Sequence, residues 1–310
     1  LYFLGSAVIQ AKEHVLSMTR QKNAGVATTL LARTGETDMV SSHGRFVWYE
    51  LTTTDMDAAK VFYSDVVGWG TRDASMPGLP YTVFTAGEAS VGGMMDLPKD
   101  ARDMGERPSW IGYVGVNDVD ATADRIKQLG GAVHVPPQDI LNVSRFSVVA
   151  DPQMATLALF KWQQPHAQEQ PINLRTPGRV GWHELFAADW EKAWPFYSEL
   201  FGWQKAEAET DATGAYQLFS AGGQTIGGMT TKPSTMPVPL WLYYFNVGDI
   251  DAAAKRVKAG GGQVLSGPTK VPEGNLIVQC TDPQGAIFAL VGHNGIGYFE
   301  RVAVPRAKSR

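Results

Sequence analysis

The sequence has little that would support covalent cross-linking, membrane insertion or nucleic-acid binding. Cys280 is the only cysteine in 310 residues, which excludes an intrachain disulfide and a cysteine-built zinc site. Its strand-like surroundings hold no motif partner, so an inert thiol is expected. No apolar run approaches the roughly 18–20 residues that a membrane-spanning helix needs. Lys and Arg number 27 against 31 Asp and Glu, a formal net charge of −4, and so the basic face required by a nucleic acid is missing. The glycine pairs Gly92-Gly93 and Gly227-Gly228 lack the lysine and the helix-opening context of a phosphate loop. A reducing, cytoplasmic setting fits this usage. Aromatics, by contrast, are plentiful: nine Trp, ten Tyr and thirteen Phe, side chains that fill cores or line ligand pockets.

Residues 1–6 read LYFLGS, like a protease-site scar, and residues 1–43 are expected to be a leader or vector-derived segment outside the fold. Lys12, Glu13, His14 and Arg20 interrupt the stretch where a secretory signal would need an apolar centre.

The rest is organised by an internal repeat, the feature to seek first because missing one mis-assigns the whole fold. Residues 45–70 read RFVWYELTTTDMDAAKVFYSDVVGWG, and residues 179–204 read RVGWHELFAADWEKAWPFYSELFGWQ. Trp48, Glu50, Asp55, Phe62, Tyr63, Gly68 and Trp69 recur as Trp182, Glu184, Asp189, Phe196, Tyr197, Gly202 and Trp203. Gly92-Gly93-Met94 recurs as Gly227-Gly228-Met229, residues 110–131 as 241–262, and Asp151-Pro152-Gln153 as Asp282-Pro283-Gln284. Residues 163–177, rich in Gln and Pro and poor in apolar side chains, read as a linker.

Each copy divides again. Residues 46–52 alternate like a strand. Thr54 or Asp55 can cap a following helix whose apolar face is Ala59, Phe62, Tyr63 and Val66, with Gly68 at its end. Strands are expected near 81–85, 90–95 and 110–116, then a helix capped near Asp118, then strands near 133, 146–149 and 156–160. Each half of a copy is therefore βαβββ, and the chain is four such modules. Pro195 falls inside the second copy's first helix and predicts a bend there.

Paired βαβββ modules with Asp55-x6-Phe62-Tyr63-x4-Gly68-Trp69 and the Asp151-Pro152-Gln153 hairpin resemble the vicinal-oxygen-chelate superfamily, which includes glyoxalases, bleomycin-resistance proteins and extradiol dioxygenases. The resemblance is closest to two-domain bacterial glyoxalase-like proteins. Met154 stands where that hairpin usually has glycine; Gly285 keeps the pattern in the second copy. The resemblance implies an α+β fold of two tandem glyoxalase-like domains, each a curved, partly open eight-stranded barrel, over residues 44–162 and 178–293, with a tail at 294–310.

Metal-dependent members of this superfamily hold iron, manganese, nickel or zinc on His and Glu from equivalent strands. By the same resemblance, the first slot, seven residues before the helix-capping Asp, falls on Trp48 and Trp182. The later slots fall on Ile111 and Leu242 and on Ala158 and Ala289, none of which offers a lone pair to a cation. His183 lies one residue off its slot and should face the helices. No metal and no cofactor are expected.

Strand alternation assigns Phe46, Trp48, Glu50 and Thr52 to the cavity face in one copy, and Val180, Trp182, Glu184 and Phe186 in the other. Glu50 and Glu184 are the candidate catalytic residues: burial would raise them toward general-base service. The alternative is a structural carboxylate paired with Arg45 or Arg179. Trp48, Tyr81, Met94 and Tyr113, with Trp182, Tyr216, Met229 and Tyr244, are the candidate ligand-binding residues; the phenols could hydrogen-bond a ligand carbonyl, or all eight could be core.

Three readings follow. The first is a metal-independent binder of a small hydrophobic or aromatic molecule, of the bleomycin-resistance type. The second is a metal-independent lyase or isomerase on a small carbonyl compound, with Glu50 or Glu184 as base. The third is a metal-dependent glyoxalase or extradiol dioxygenase. No nucleic-acid or membrane partner is expected, and the chain is expected to be a monomer or homodimer.

Overall fold

The structure is a computed structural model that describes residues 42–76, 78–140, 143–163, 173–211, 214–271 and 274–293. The expected leader and tail, and most of the expected linker, lie outside the described residues.

The first half runs β1 (Phe46–Thr53), α1 (Met56–Val67), β2 (Gly70–Asp73), β3 (Tyr81–Ala86) and β4 (Ala89–Asp96). A short α2 (Lys99–Asp103) leads to β5 (Ser109–Gly115), α3 (Val119–Gln128), β6 (Ala132–Ile140), β7 (Ser144–Ala150) and β8 (Thr156–Trp162). The second half repeats the order with β9 (Val180–Ala187), α4 (Trp190–Phe201), β10 (Gln204–Asp211), β11 (Gly214–Ala221) and β12 (Gln224–Thr231). It closes with β13 (Leu240–Asp249), α5 (Ile250–Ala259), β14 (Gln263–Lys270), β15 (Leu276–Thr281) and β16 (Ile287–His293). These are the four βαβββ modules the repeat implies.

Each half forms one eight-stranded sheet, in the order β2-β3-β4-β1-β5-β8-β7-β6 and β10-β11-β12-β9-β13-β16-β15-β14. The two modules of a half meet at their first strands, where β1 runs antiparallel to β5 and β9 to β13. The sheets are curved and not closed, since β2 and β6, and likewise β10 and β14, remain outer strands.

Four aspartates start the four long helices. Asp55, Asp118, Asp189 and Asp249 each accept a hydrogen bond from the backbone N–H three residues on, at 2.9, 2.9, 3.1 and 2.9 Å. Gly68 and Gly202 end α1 and α4 in the left-handed conformation, at φ 86° and 67°. α4 passes through Pro195 as one element and matches α1 in length, 12 residues each.

The helix-facing sides of both sheets share one core. Phe62, Tyr63 and Trp69 of the first half pack with Phe245 and Phe288 of the second, and Phe46 with Trp203 and Trp241. The bonds across this core are reciprocal. Tyr63 donates to Asp282 Oδ2 at 3.0 Å and Tyr197 to Asp151 Oδ2 at 2.9 Å. The indoles of Trp69 and Trp203 donate to the carbonyls of Gly178 and Gly44, both at 2.6 Å. An approximate two-fold axis therefore relates the halves, and where counterparts meet near it they differ. Tyr49 bonds its own counterpart His183 at 2.6 Å, and the Tyr243 hydroxyl accepts the N–H of its counterpart Gly112 at 2.7 Å. A Cβ on Gly112 would lie 2.7 Å from the Tyr243 ring, so the tyrosine fills the space the glycine leaves.

Candidate functional site

The opposite, concave face of each sheet carries a matched acid–phenol cluster. Glu50 sits mid-β1 between Tyr113 on β5 and Tyr81 on β3. Tyr113 donates to its Oε1 and Tyr81 to its Oε2, each at 2.9 Å. The Trp48 indole donates to the Tyr81 hydroxyl at 3.1 Å. In the second half Tyr244 donates to Glu184 Oε2 in a short bond, Tyr216 also hydrogen-bonds Glu184, and the Trp182 indole donates to Tyr216 at 2.8 Å. Thus Trp48, Glu50, Tyr81 and Tyr113 come together, as do Trp182, Glu184, Tyr216 and Tyr244. The partners of Glu50 are tyrosines, while Arg45 reaches the carbonyl of Gly222 at 3.4 Å.

The glycine pairs explain how the phenols reach the acid. Gly93 pairs with Glu50 in the parallel β1–β4 register, and Gly228 with Glu184 in the β9–β12 register. A Cβ on Gly93 would stand 1.8 Å from the Tyr81 hydroxyl, and one on Gly228 would stand 2.3 Å from the Tyr216 ring. The bare backbone here is the seat of the tyrosine.

Burial raises both acids. Glu50 lies deep under the concave wall, although part of its surface still meets solvent. Removal from bulk water raises its carboxyl, and the Tyr81 and Tyr113 bonds oppose this. Glu184 is only 7% exposed, and burial pushes it up to about 7 against the bonds from Tyr244 and Tyr216. The same burial, reinforced by the neighbouring carboxylate, holds the phenols of Tyr81, Tyr113 and Tyr244 well above their ordinary range, so they keep their protons.

Two expected wall residues lie elsewhere. Met94 and Met229 are fully buried in the helix-side core, because Gly93 and Gly228, their sequence neighbours, take the concave positions. Met95 and Thr230, registered with Thr52 and Phe186, share the face of the acids instead. Phe46 and Val180, expected in the cavity, also belong to the helix-side core, because β-bulges after Phe46 and opposite Val180 shift the alternation by one residue. Val47 packs on the concave side in place of Phe46.

The rest of the first concave wall is Ile111, Tyr113, Val135, Phe146, Val148, Ala158 and Phe160, with Trp48, Ile140 and Trp162 packed against it. The second wall is smaller: Leu242, Tyr244 and Ala289 are buried, and Trp182, Phe186, Leu240, Ile277 and Val291 are partly buried. Sequence reasoning missed Gln279, whose amide donates to Tyr244 at 3.2 Å, and Gln138, buried opposite Phe146. An inward polar residue on an otherwise apolar alternating strand was the available signal for Gln279. A separate groove of about 640 Å³ opens near the start of α1, lined by Asp55, Asp57, Asp73 and Asp96 with Lys60 among others; no residue of either cluster lines it.

The profile of the Glyoxalase/Bleomycin resistance protein/Dioxygenase superfamily matches residues 45–159 and 179–290. The chain belongs to this superfamily. Among its superfamily relatives, the Mycobacterium tuberculosis protein named "Putative glyoxylase CFP32" is 34% identical over 247 residues, covering 79% of this chain and 93% of the relative. The Streptomyces peucetius anthracycline biosynthesis protein DnrV is 30% identical over 261 residues, covering 80% and 93%. Among solved structures, the Mn(II)-bound glyoxalase of Novosphingobium aromaticivorans superposes with a TM-score of 0.56 at 15% identity, covering 82% of this chain and 83% of its own. The 2,3-dioxygenase LapB of Pseudomonas sp. KL28 gives 0.57 at 12% identity, covering 83% and 94%. These structures share the superfamily fold.

The side chains here do not fit a metal such as the Mn(II) of the Novosphingobium aromaticivorans glyoxalase. Both oxygens of Glu50 already accept phenol protons, and Trp48, Ile111 and Ala158 have no lone pair to give. Among the described residues no three His, Cys, Asp or Glu side chains gather as a ligand set. His183 lies on the helix side, its ring bonded to Tyr49 and to the Ile226 carbonyl, and burial lowers it to about 4.

Proposed function

We propose that this chain binds a small, largely apolar aromatic molecule on a concave sheet face, without a metal ion, and that the Glu–Tyr–Tyr–Trp cluster is the polar anchor of that face. The observation that carries this reading is the direction of the protons. Tyr81, Tyr113 and Trp48 all spend theirs inside the cluster, ending on Glu50. What remains for a ligand is lone pairs, on the Glu50 oxygens and on the Tyr113 hydroxyl. The anchor therefore suits a ligand hydroxyl or amine, rather than the carbonyl that free phenols would have served. The Streptomyces relatives named for anthracycline biosynthesis support this class, an anthracycline being a polycyclic, hydroxylated aromatic.

Native mass spectrometry of the purified chain, with metal analysis on the same sample, tests the reading. A retained aromatic molecule that stays bound after dialysis against a chelator is the expected result. Near-stoichiometric metal whose removal releases the ligand would refute it.

A second reading, a metal-independent lyase or isomerase, is favoured by Glu184 alone: a carboxyl raised to about 7 is matched to proton abstraction near neutral pH. Covalent change of the bound molecule on incubation, lost in Glu184→Gln, would establish it; recovery of the molecule unaltered favours the binder.

A further inference from the structure

The two concave faces are built from one repeat, but they have diverged at the positions that decide whether a ligand can reach the acid. This inference rests on the binding reading above. In the first half, β7 and β8 present Phe146, Val148, Phe160 and Trp162. The corresponding positions of β15 and β16 are Ile277, Gln279, Val291 and His293. The first face is thus the more aromatic wall, and the outer strand of the second face, β14, is almost wholly exposed.

The acids differ in the opposite sense. Glu184 is sealed at 7% exposure, and the open valence on its Tyr244 is already filled by the Gln279 amide. Glu50 keeps contact with solvent, and Val148 stands where Gln279 would be, so among the described residues the Tyr113 hydroxyl retains an acceptor position. A second observation points the same way. Gln138 lies directly opposite Phe146, and Ser144 lies two residues before it, so both share the concave face with the aromatic wall. Gln138 is only 9% exposed and Ser144 fully buried, and among the described residues the Gln138 Nε2 and Ser144 Oγ have no hydrogen-bond partner. A buried amide N–H left unpaired costs about 1–3 kcal/mol, so such a group calls for a partner.

We propose that the first half is the ligand-binding copy, that its ligand is a planar aromatic molecule with a hydrogen-bond donor for the Glu50–Tyr113 anchor and an acceptor for Gln138, and that the second half is closed around Glu184 as scaffold. Along the sheet, Gln138 on β6 lies three strands from Tyr113 on β5 and four from Glu50 on β1. With strands about 4.8 Å apart, that separation calls for a fused-ring ligand rather than a single ring.

The test uses the whole chain and 6-hydroxy-2-acetylnaphthalene, which carries a phenol and a ketone on a fused ring. Two control probes are 6-methoxy-2-acetylnaphthalene, whose donor is capped, and 2-naphthol, which lacks the ketone. Calorimetry is expected to give one equivalent per chain. Capping the donor should weaken binding about tenfold or more, the scale of one buried hydrogen bond. Glu50→Gln should weaken the hydroxyketone about tenfold, while Glu184→Gln changes it less than about twofold. Gln138→Leu should weaken the hydroxyketone about tenfold and leave 2-naphthol unchanged, a difference that a purely structural role would not produce.

Two equivalents per chain, or equal losses from Glu50→Gln and Glu184→Gln, would overturn the assignment to the first half while leaving the binding reading in place. Equal losses of both probes in Gln138→Leu would remove the acceptor from the proposal. If Glu184→Gln does not fold, Gln279→Val is the substitute: binding weakened by it overturns the proposal. No saturable binding of the hydroxyketone by the native chain also overturns it, and if 2-naphthol fails as well, the binding reading falls with it.

Discussion

Replacing Glu184 by glutamine should make the protein more stable at high pH, and by an amount the site itself sets. The carboxyl ordinarily titrates near 4.5, and burial raises it to about 7 in the folded chain. Between these values the folded state holds a proton that the unfolded state has released. Stability is therefore fully present below about pH 4.5 and is lost as pH rises through about 7. Each pH unit of separation corresponds to 1.36 kcal/mol, so the loss totals about 3 kcal/mol by pH 8. Because Glu184 is only 7% exposed, solvent screening takes little from this figure. Glutamine keeps the shape and an acceptor oxygen but cannot ionise. Urea unfolding of the native and Glu184→Gln chains at pH 5, 6, 7 and 8 gives the comparison directly. The variant should gain on the native chain by about 2.5 kcal/mol across that range, most of it below pH 7.5, the remainder of the loss having already occurred by pH 5. A difference between the two that stays flat with pH would refute the reasoning, since it would mean the buried acid titrates alike in both states.

Gly93→Ala and Gly228→Ala should each displace a tyrosine from its acid and cost about 1–3 kcal/mol, with Glu50 or Glu184 titrating higher; carboxyl carbon NMR reads the titration and thermal melts the stability. Gly112→Ala should drive a methyl into the Tyr243 ring and lower stability by about 1–3 kcal/mol, and Tyr243→Phe, which strands the Gly112 N–H, by a similar amount; unchanged melting in both would contradict the described packing near the axis. Tyr63→Phe and Tyr197→Phe each leave a buried carboxylate, Asp282 or Asp151, short of a donor, and each should cost about 1–3 kcal/mol in denaturant unfolding, to matching extents because the bonds are equivalent.

The repeat, the modules and the four capping aspartates were legible because they depend on local chemistry: spacing, alternation and a side chain bonding a backbone N–H a few residues on. Alternation along β1 also brought Trp48 and Glu50 to one face. It failed at Phe46, where a bulge adds a residue, and such irregularities leave no mark in a single sequence. It failed again at Met94, because the glycine pair hid which of its neighbours turns inward. Gly93 is explained by the tyrosine it receives from another strand, a contact set by the β3–β4–β1 order. Tyr63 and Asp282 each stood out as repeated residues, but their bond spans 219 positions and exists only because the halves pack helix face to helix face.

The pairs Gly112–Tyr243 and Tyr49–His183 bear on how the duplicated chain holds together. An ancestral pair of identical units would have had to meet with the same residue on both sides of the axis, glycine against glycine or tyrosine against tyrosine. One leaves a hole and the other overfills it. Units joined in a single chain are free of that constraint, and here each takes a different part of one fitted contact. Produced as two separate chains, the halves are expected to pair with each other more tightly than either pairs with a copy of itself.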